Sequence, residues 1–143
     1  MAKHSVAFLS VCLWLAVGTA YAQQCLHGKN ESADQAARRR EALTATRTIN
    51  NIQANQPGAA KGQFLRHEEL PGSPFAVRMR ESSNETVKRM SLNPGTDVLP
   101  NWQLTVDVTT QGYWFMIKDK IDPCGFAFVS NQVGVILQAE PIR

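Results

Sequence analysis

Three cysteines and three histidines hold most of the nucleophilic and metal-binding capacity of this chain. Cys12 falls inside an N-terminal apolar run, which leaves Cys25 and Cys124 in the part with a globular composition. Two thiols so widely separated match no zinc spacing, where ligands come in close pairs. In an exported chain an even pair reads as a disulfide, against a thiol nucleophile or a metal ligand as the other uses. That bond would close a loop of nearly the whole domain, contributing roughly 4–5 kcal/mol on chain-entropy grounds. His27 stands just before a helical stretch. His67 is followed by Glu68 and Glu69, but adjacent residues rarely converge on one ion, so this triplet reads as a solvated loop. Asp119 and Asp122 share one loop. Calcium would need several oxygen donors at alternate positions and a late glutamate, and Lys118 and Lys120 interleave here instead. No serine sits in a nucleophile elbow. No glycine-rich phosphate loop follows a strand, and nothing sets two carboxylates across a cleft. These residues predict no enzyme, no metal and no cofactor; a hydrolase would need a constellation the sequence does not display.

Charge and targeting narrow the classes further. The net charge is +3 over 143 residues, less basic than a nucleic-acid module requires. The triplet Arg38-Arg39-Arg40 spreads round a helix at about 100° per residue, so it reads as a solvated face rather than a phosphate patch. Lys3 and His4 begin a short basic start, Ser5 to Val17 is mainly apolar, and Ala20-Tyr21-Ala22 fits a signal peptidase. Residues 1–22 are therefore expected to be a signal peptide cleaved before Gln23, and 23–143 a single domain. The apolar run is shorter than the roughly 20 residues of a bilayer span, so no stable membrane anchor is expected after cleavage. Leu9-Ser10-Val11-Cys12 resembles a lipidation box, but Val11 is bulky and the apolar stretch continues beyond Cys12. The expected location is periplasmic or extracellular. Two glycosylation sequons, at Asn30 and Asn84, read as chance in a bacterial-looking chain.

The elements that must carry these residues follow from periodicity. Ser32 can cap a helix over residues 33 to about 56, with Asp34 near its positive end. Ala42, Ala45, Ile49 and Ile52 form its apolar stripe, and Pro57-Gly58 stops it. Phe75 to Arg80 alternates apolar and polar, which predicts a strand, and Asn84 to Leu92 predicts a short capped helix. Glu81 to Asn101 otherwise reads as a long connection. Trp102, Leu104, Val106 and Val108 alternate with polar residues, giving a strand with one wet face. Thr110-Gln111-Gly112 turns into Tyr113 to Ile117. Lys118 to Gly125 is a polar loop, Phe126 to Val129 the next strand, and Ser130-Asn131-Gln132 turns into Val133 to Leu137. Short connections favour an antiparallel meander. The prediction is an α+β fold: one N-terminal helix packed on an antiparallel β-meander of about four strands.

Three stretches resemble type IV pilin-like proteins, including the pseudopilins of type II secretion. Arg47-Thr48-Ile49-Asn50-Asn51-Ile52-Gln53-Ala54 resembles the later part of the pilin helix. Gly112-Tyr113-Trp114-Phe115-Met116-Ile117 resembles the Gly-Tyr-x-Phe strand. Phe126 to Ile136 resembles the closing hairpin. The chain departs from that family in lacking the Phe-Thr-Leu-Ile-Glu segment and the long apolar helix behind it. The resemblance thus implies a pilin-like domain without a filament stem, an accessory or surface-associated factor with a protein or cell-surface partner. No catalytic residue carries over. Consecutive aromatic residues must face opposite sides of a strand, so either Tyr113, Phe115 and Ile117 or Trp114 and Met116 look outward. Trp102, Tyr113 and Trp114 are the candidate partner-binding residues. The alternative function is a periplasmic small-ligand-binding or inhibitor domain, with a hollow beside Trp102 and Trp114.

Overall fold

Ser32 starts the first helix by a reciprocal cap. Its Oγ accepts from Gln35 N at 3.2 Å, and Gln35 Oε1 accepts from Ser32 N at 2.8 Å. Helix α1 (Ala33–Asn55) then runs to the Pro57-Gly58 stop. The computed structural model describes residues 25–140; the expected signal peptide and its cleavage site lie outside the described residues. After α1 come short 3-10 turns at Ala59–Lys61 and His67–Gly72, helix α2 (Pro74–Met79) and helix α3 (Glu85–Arg89). The strands follow in one block: β1 (Asp97–Leu99), β2 (Trp102–Thr109), β3 (Gly112–Asp119), β4 (Ala127–Asn131) and β5 (Ile136–Ala139). They form one five-stranded antiparallel sheet in sequence order.

The fold is α+β, with one strand more than the four expected. The addition is β1, a three-residue strand inside the stretch read as a connection. It joins β2 through a tight turn in which Asn101 takes a φ of 67°, a left-handed conformation that asparagine tolerates. The strand expected at Phe75–Arg80 is instead helix α2. Ser73 caps it, Oγ accepting from Ala76 N at 3.1 Å, and Pro74 holds the first helical φ. Those two residues outweigh a six-residue alternation. The expected helix near Asn84 is α3, with Asn84 Oδ1 accepting from Thr86 N and Val87 N. The last strand begins at Ile136, three residues later than Val133, because Gln132 to Val135 are used by the turn and Gly134 needs a φ of 79°.

Ala42, Ala45, Ile49 and Ile52 of α1 share one buried cluster with Leu104, Phe115, Ile117 and Phe128 of the sheet. Two amide side chains of α1 tie it to other parts of the chain. Asn50 Nδ2 donates to Ser130 Oγ at 2.8 Å, while Tyr113 Oη donates to Asn50 Oδ1 at 3.1 Å. Gln53, fully buried, grips the backbone of Leu65 with both ends of its amide, at 2.7 and 2.9 Å. Buried polar atoms without partners would cost about 1–3 kcal/mol each, and these have partners. Thr46 is satisfied within the helix, its hydroxyl donating to Ala42 O at 2.8 Å.

Candidate functional site

The β2–β3 register decides which aromatic residues are available. Val106 pairs with Phe115 and Asp107 with Trp114, so Tyr113, Phe115 and Ile117 face the core and Trp114 and Met116 face outward. Trp102 is 1% exposed and Tyr113 4%, whereas Trp114 is 40% exposed. Of the three candidate partner-binding residues, only Trp114 presents a surface to another molecule. Trp102 is held on several sides: the His27 ring lies 5.6 Å from it, and the Arg38 guanidinium sits 5.7 Å above it. Burial of Tyr113 raises its hydroxyl pKa above the ordinary value of 10.0.

Cys25 and Cys124 are joined in a disulfide, with Cα atoms 5.2 Å apart. The bond draws the segment before α1 onto the turn after β3, and a set of buried polar groups assembles there. His27 Nε2 lies 2.9 Å from Asp119 Oδ2, and His27 Nδ1 lies 2.7 Å from Glu31 Oε1. Arg38 donates to Asp119 Oδ1 at 3.2 Å. Arg39 donates to both oxygens of Glu31, each at 3.0 Å. Burial works to raise the Glu31 pKa, but the hydrogen bonds and charges of Arg39 and His27 prevail and hold it below 4.5.

This cluster contains the residues that chemistry would call on first, and each of them is bonded within the protein. Both His27 nitrogens face carboxylates of the protein itself. Asp122 Oδ1 accepts from Leu26 N and Cys124 N, and its Oδ2 from Phe126 N, at 3.0–3.2 Å. The Asp119 and Asp122 oxygens are thus engaged by N–H groups, a donor set opposite to that of a calcium loop. Among the described residues no group of three or more His, Cys, Asp or Glu is placed to hold a metal ion. His67 opens the second 3-10 turn; burial lowers its pKa, with the Glu68 charge opposing. Arg38 and Arg39, expected on a solvated face, instead make ion pairs with largely buried acids. The partner of Arg38 is 81 residues away and that of Arg39 lies eight residues back, outside the helix, and a run of like charges reveals neither. The link from Cys25 to Cys124 was the available clue, because it places residue 27 beside the loop that holds Asp119.

The outer side of the sheet is different in kind. Trp114, Val129, Val133, Val135 and Leu137 surround an open apolar hollow of about 340 Å³. Val133, Val135 and Leu137 are 73%, 53% and 61% exposed. Trp114 is held in place by its indole N–H, which donates to Asp107 Oδ2 at 3.0 Å across the strand pair. Two side-chain oxygens at the hollow are already engaged: Ser130 Oγ donates to Val135 O at 2.8 Å, and Asn131 Oδ1 accepts from Val133 N at 3.0 Å. No described helix is long and apolar enough to cross a membrane. The chain matches no protein-family model, no curated protein and no solved structure.

Proposed function

We propose that this chain is an exported, non-enzymatic domain of pilin-like architecture that acts by protein contact through the outer face of its sheet. The observation that carries the reading is the apolar group Trp114, Val133, Val135 and Leu137 on an otherwise solvated strand face. Large apolar residues gathered on a surface mark interaction sites, whereas scattered ones do not. The order of helix and meander supports the pilin-like architecture, as does the buried cluster that Ala42, Ala45, Ile49 and Ile52 share with residues of the sheet. Export is supported by the disulfide, which persists in oxidising compartments. A small-ligand reading would need polar groups converging on the hollow to orient a guest. Ser130 Oγ and Asn131 Oδ1 are engaged by Asn50, Val135 and Val133 of the chain itself, which favours a protein partner.

Site-specific photo-crosslinking tests this in cells that make and export the protein. A photoreactive residue at Val133 should give adducts of discrete mass. The same residue at Val77, equally open but on α2, should give none. Absence of a discrete adduct at Val133 would refute the proposed contact face.

A further inference from the structure

Asp122 connects the same two chain segments as the disulfide, without using sulfur. It lies in the turn between β3 and β4 and is 5% exposed. Its Oδ1 accepts from Leu26 N at 3.1 Å and from Cys124 N at 3.0 Å. One oxygen atom therefore holds both the amide that follows Cys25 and the amide of Cys124 itself. Oδ2 accepts from Phe126 N at 3.2 Å, which fixes the other side of the carboxylate. A buried charge is costly without such donors, and three backbone N–H groups supply them here. The rest of the segment before α1 is also docked by groups other than sulfur. His27 Nε2 lies 2.9 Å from Asp119 Oδ2, and its ring packs 4.6 Å from that of Phe126. Glu31 is bound through both its oxygens by Arg39 of α1.

We propose that Asp122 is the positioning residue for closure of the Cys25–Cys124 bond: residues 25–31 dock on the folded domain while both thiols are reduced, and the sulfur link then locks them. The bond spans a sequence separation of 99, so a chance encounter of the two thiols is opposed by the entropy of closing a long loop. Docking through Asp122 meets that cost before the sulfur chemistry begins. The two Cα atoms stand 5.2 Å apart, within the roughly 4.4–6.8 Å that a disulfide spans without moving the backbone. Closure consumes a disulfide oxidant such as oxidised glutathione. One protein thiolate attacks the oxidant's S–S bond and releases a glutathione thiolate. The other protein thiolate displaces the second glutathione from the mixed disulfide. Two electrons pass to the oxidant, and the two protein thiol protons end on two glutathione thiols. Asp122 takes no proton in either step. It holds the second thiol beside the mixed disulfide, so that the second step is intramolecular and oriented.

Hydrogen exchange followed by NMR reads the docking without sulfur, in Cys25→Ser with Cys124→Ser produced from the full chain in an exporting host. The Leu26 amide should stay protected, as should the amides of β3. Adding Asp122→Ala should speed Leu26 exchange by about tenfold or more, the equivalent of one hydrogen bond to a charged group, with β3 unchanged. Glutathione redox buffers read the same residue in the cysteine-containing protein. Asp122→Ala should lower the effective concentration of the thiol pair by about tenfold. Asp122→Asn keeps Oδ1 and should recover most of it, and Glu85→Ala, at the exposed start of α3, should match the parent. Free exchange at Leu26 in a double-serine protein whose sheet is still protected would overturn the proposal. So would a double-serine protein that does not fold, because sulfur closure would then have to come first. Loss of β3 protection on adding Asp122→Ala, or an effective concentration that Asp122→Ala leaves unmoved, would overturn the positioning role, as would an Asn variant no better than the Ala variant.

Discussion

Replacing Asp119 with asparagine deletes one charge from a fully buried site and changes almost no volume. The Asp119 carboxylate meets His27 Nε2 at 2.9 Å, Arg38 Nη2 at 3.2 Å and Ile121 N at 3.0 Å. Asparagine keeps one oxygen, which two N–H donors, from Arg38 and Ile121, already claim. Its NH₂ group is left facing His27, and the Arg38 cation loses its counter-charge. Removing one partner of a buried pair costs about 3–5 kcal/mol. Glu31 still holds the other ring nitrogen at 2.7 Å, which places the expected loss at the low end, about 3 kcal/mol. At about 4 °C per kcal/mol for a domain of this size, the melting temperature should fall by about 12 °C. Urea unfolding followed by tryptophan fluorescence is the assay, since Trp102 lies beneath His27 and Arg38. The midpoint should drop with an unchanged slope. A loss below about 1 kcal/mol, the range of exposed ion pairs, would refute the argument that this pair is a structural clamp. The effect should also be non-additive with removal of the disulfide, because both hold the segment before α1 against the turn after β3.

Two further outcomes follow from the same corner of the molecule. Cys25→Ser with Cys124→Ser opens a loop with a sequence separation of 99, so the denaturation midpoint should reveal a loss of about 4–5 kcal/mol; a loss under about 1 kcal/mol would show that the bond adds little to the packed fold. Glu31 has its pKa lowered in the fold, so its contribution is complete above the ordinary value of 4.5 and disappears as pH falls through the lower folded value. The melting temperature should thus decline on acidification below pH 4.5, and Glu31→Gln should flatten that part of the profile; parallel curves for parent and variant would contradict it.

Much of the sheet was legible because alternation is a strong signal over eight residues. The pattern Trp102, Leu104, Val106 that identifies β2 also sets Trp102 on the inner face, so its burial follows from the same observation that finds the strand. Helix α1 was equally clear, since a cap at Ser32 and a stop at Pro57 bracket a stripe of period 3.6. Short elements were not legible. Three residues of β1 carry no measurable period, and in α2 the pair Ser73-Pro74 decides against an alternation that six residues cannot sustain. The buried cluster was hidden for another reason. Arg38 and Asp119 are 81 residues apart and His27 and Asp119 are 92 apart; pairing at such distance is a property of the folded chain, and local charge patterning reports only the local solvent face.

The two sides of the sheet show where this fold needs its residues. On the inner side the polar groups that reach the core are satisfied in specific ways: Asn50 by Ser130 and Tyr113, Gln53 by the Leu65 backbone, His27 by Asp119 and Glu31. Inner-face substitutions therefore act on stability. Val133, Val135 and Leu137 stand mostly in water, so the folded monomer gains little from their side chains. A lysine at Leu137 should leave the unfolding free energy within about 0.5 kcal/mol of the parent, as read by urea denaturation. Residues that contribute so little to the monomer, on a neutral edge with no proline, would carry an aggregation hazard for no return if nothing covered them.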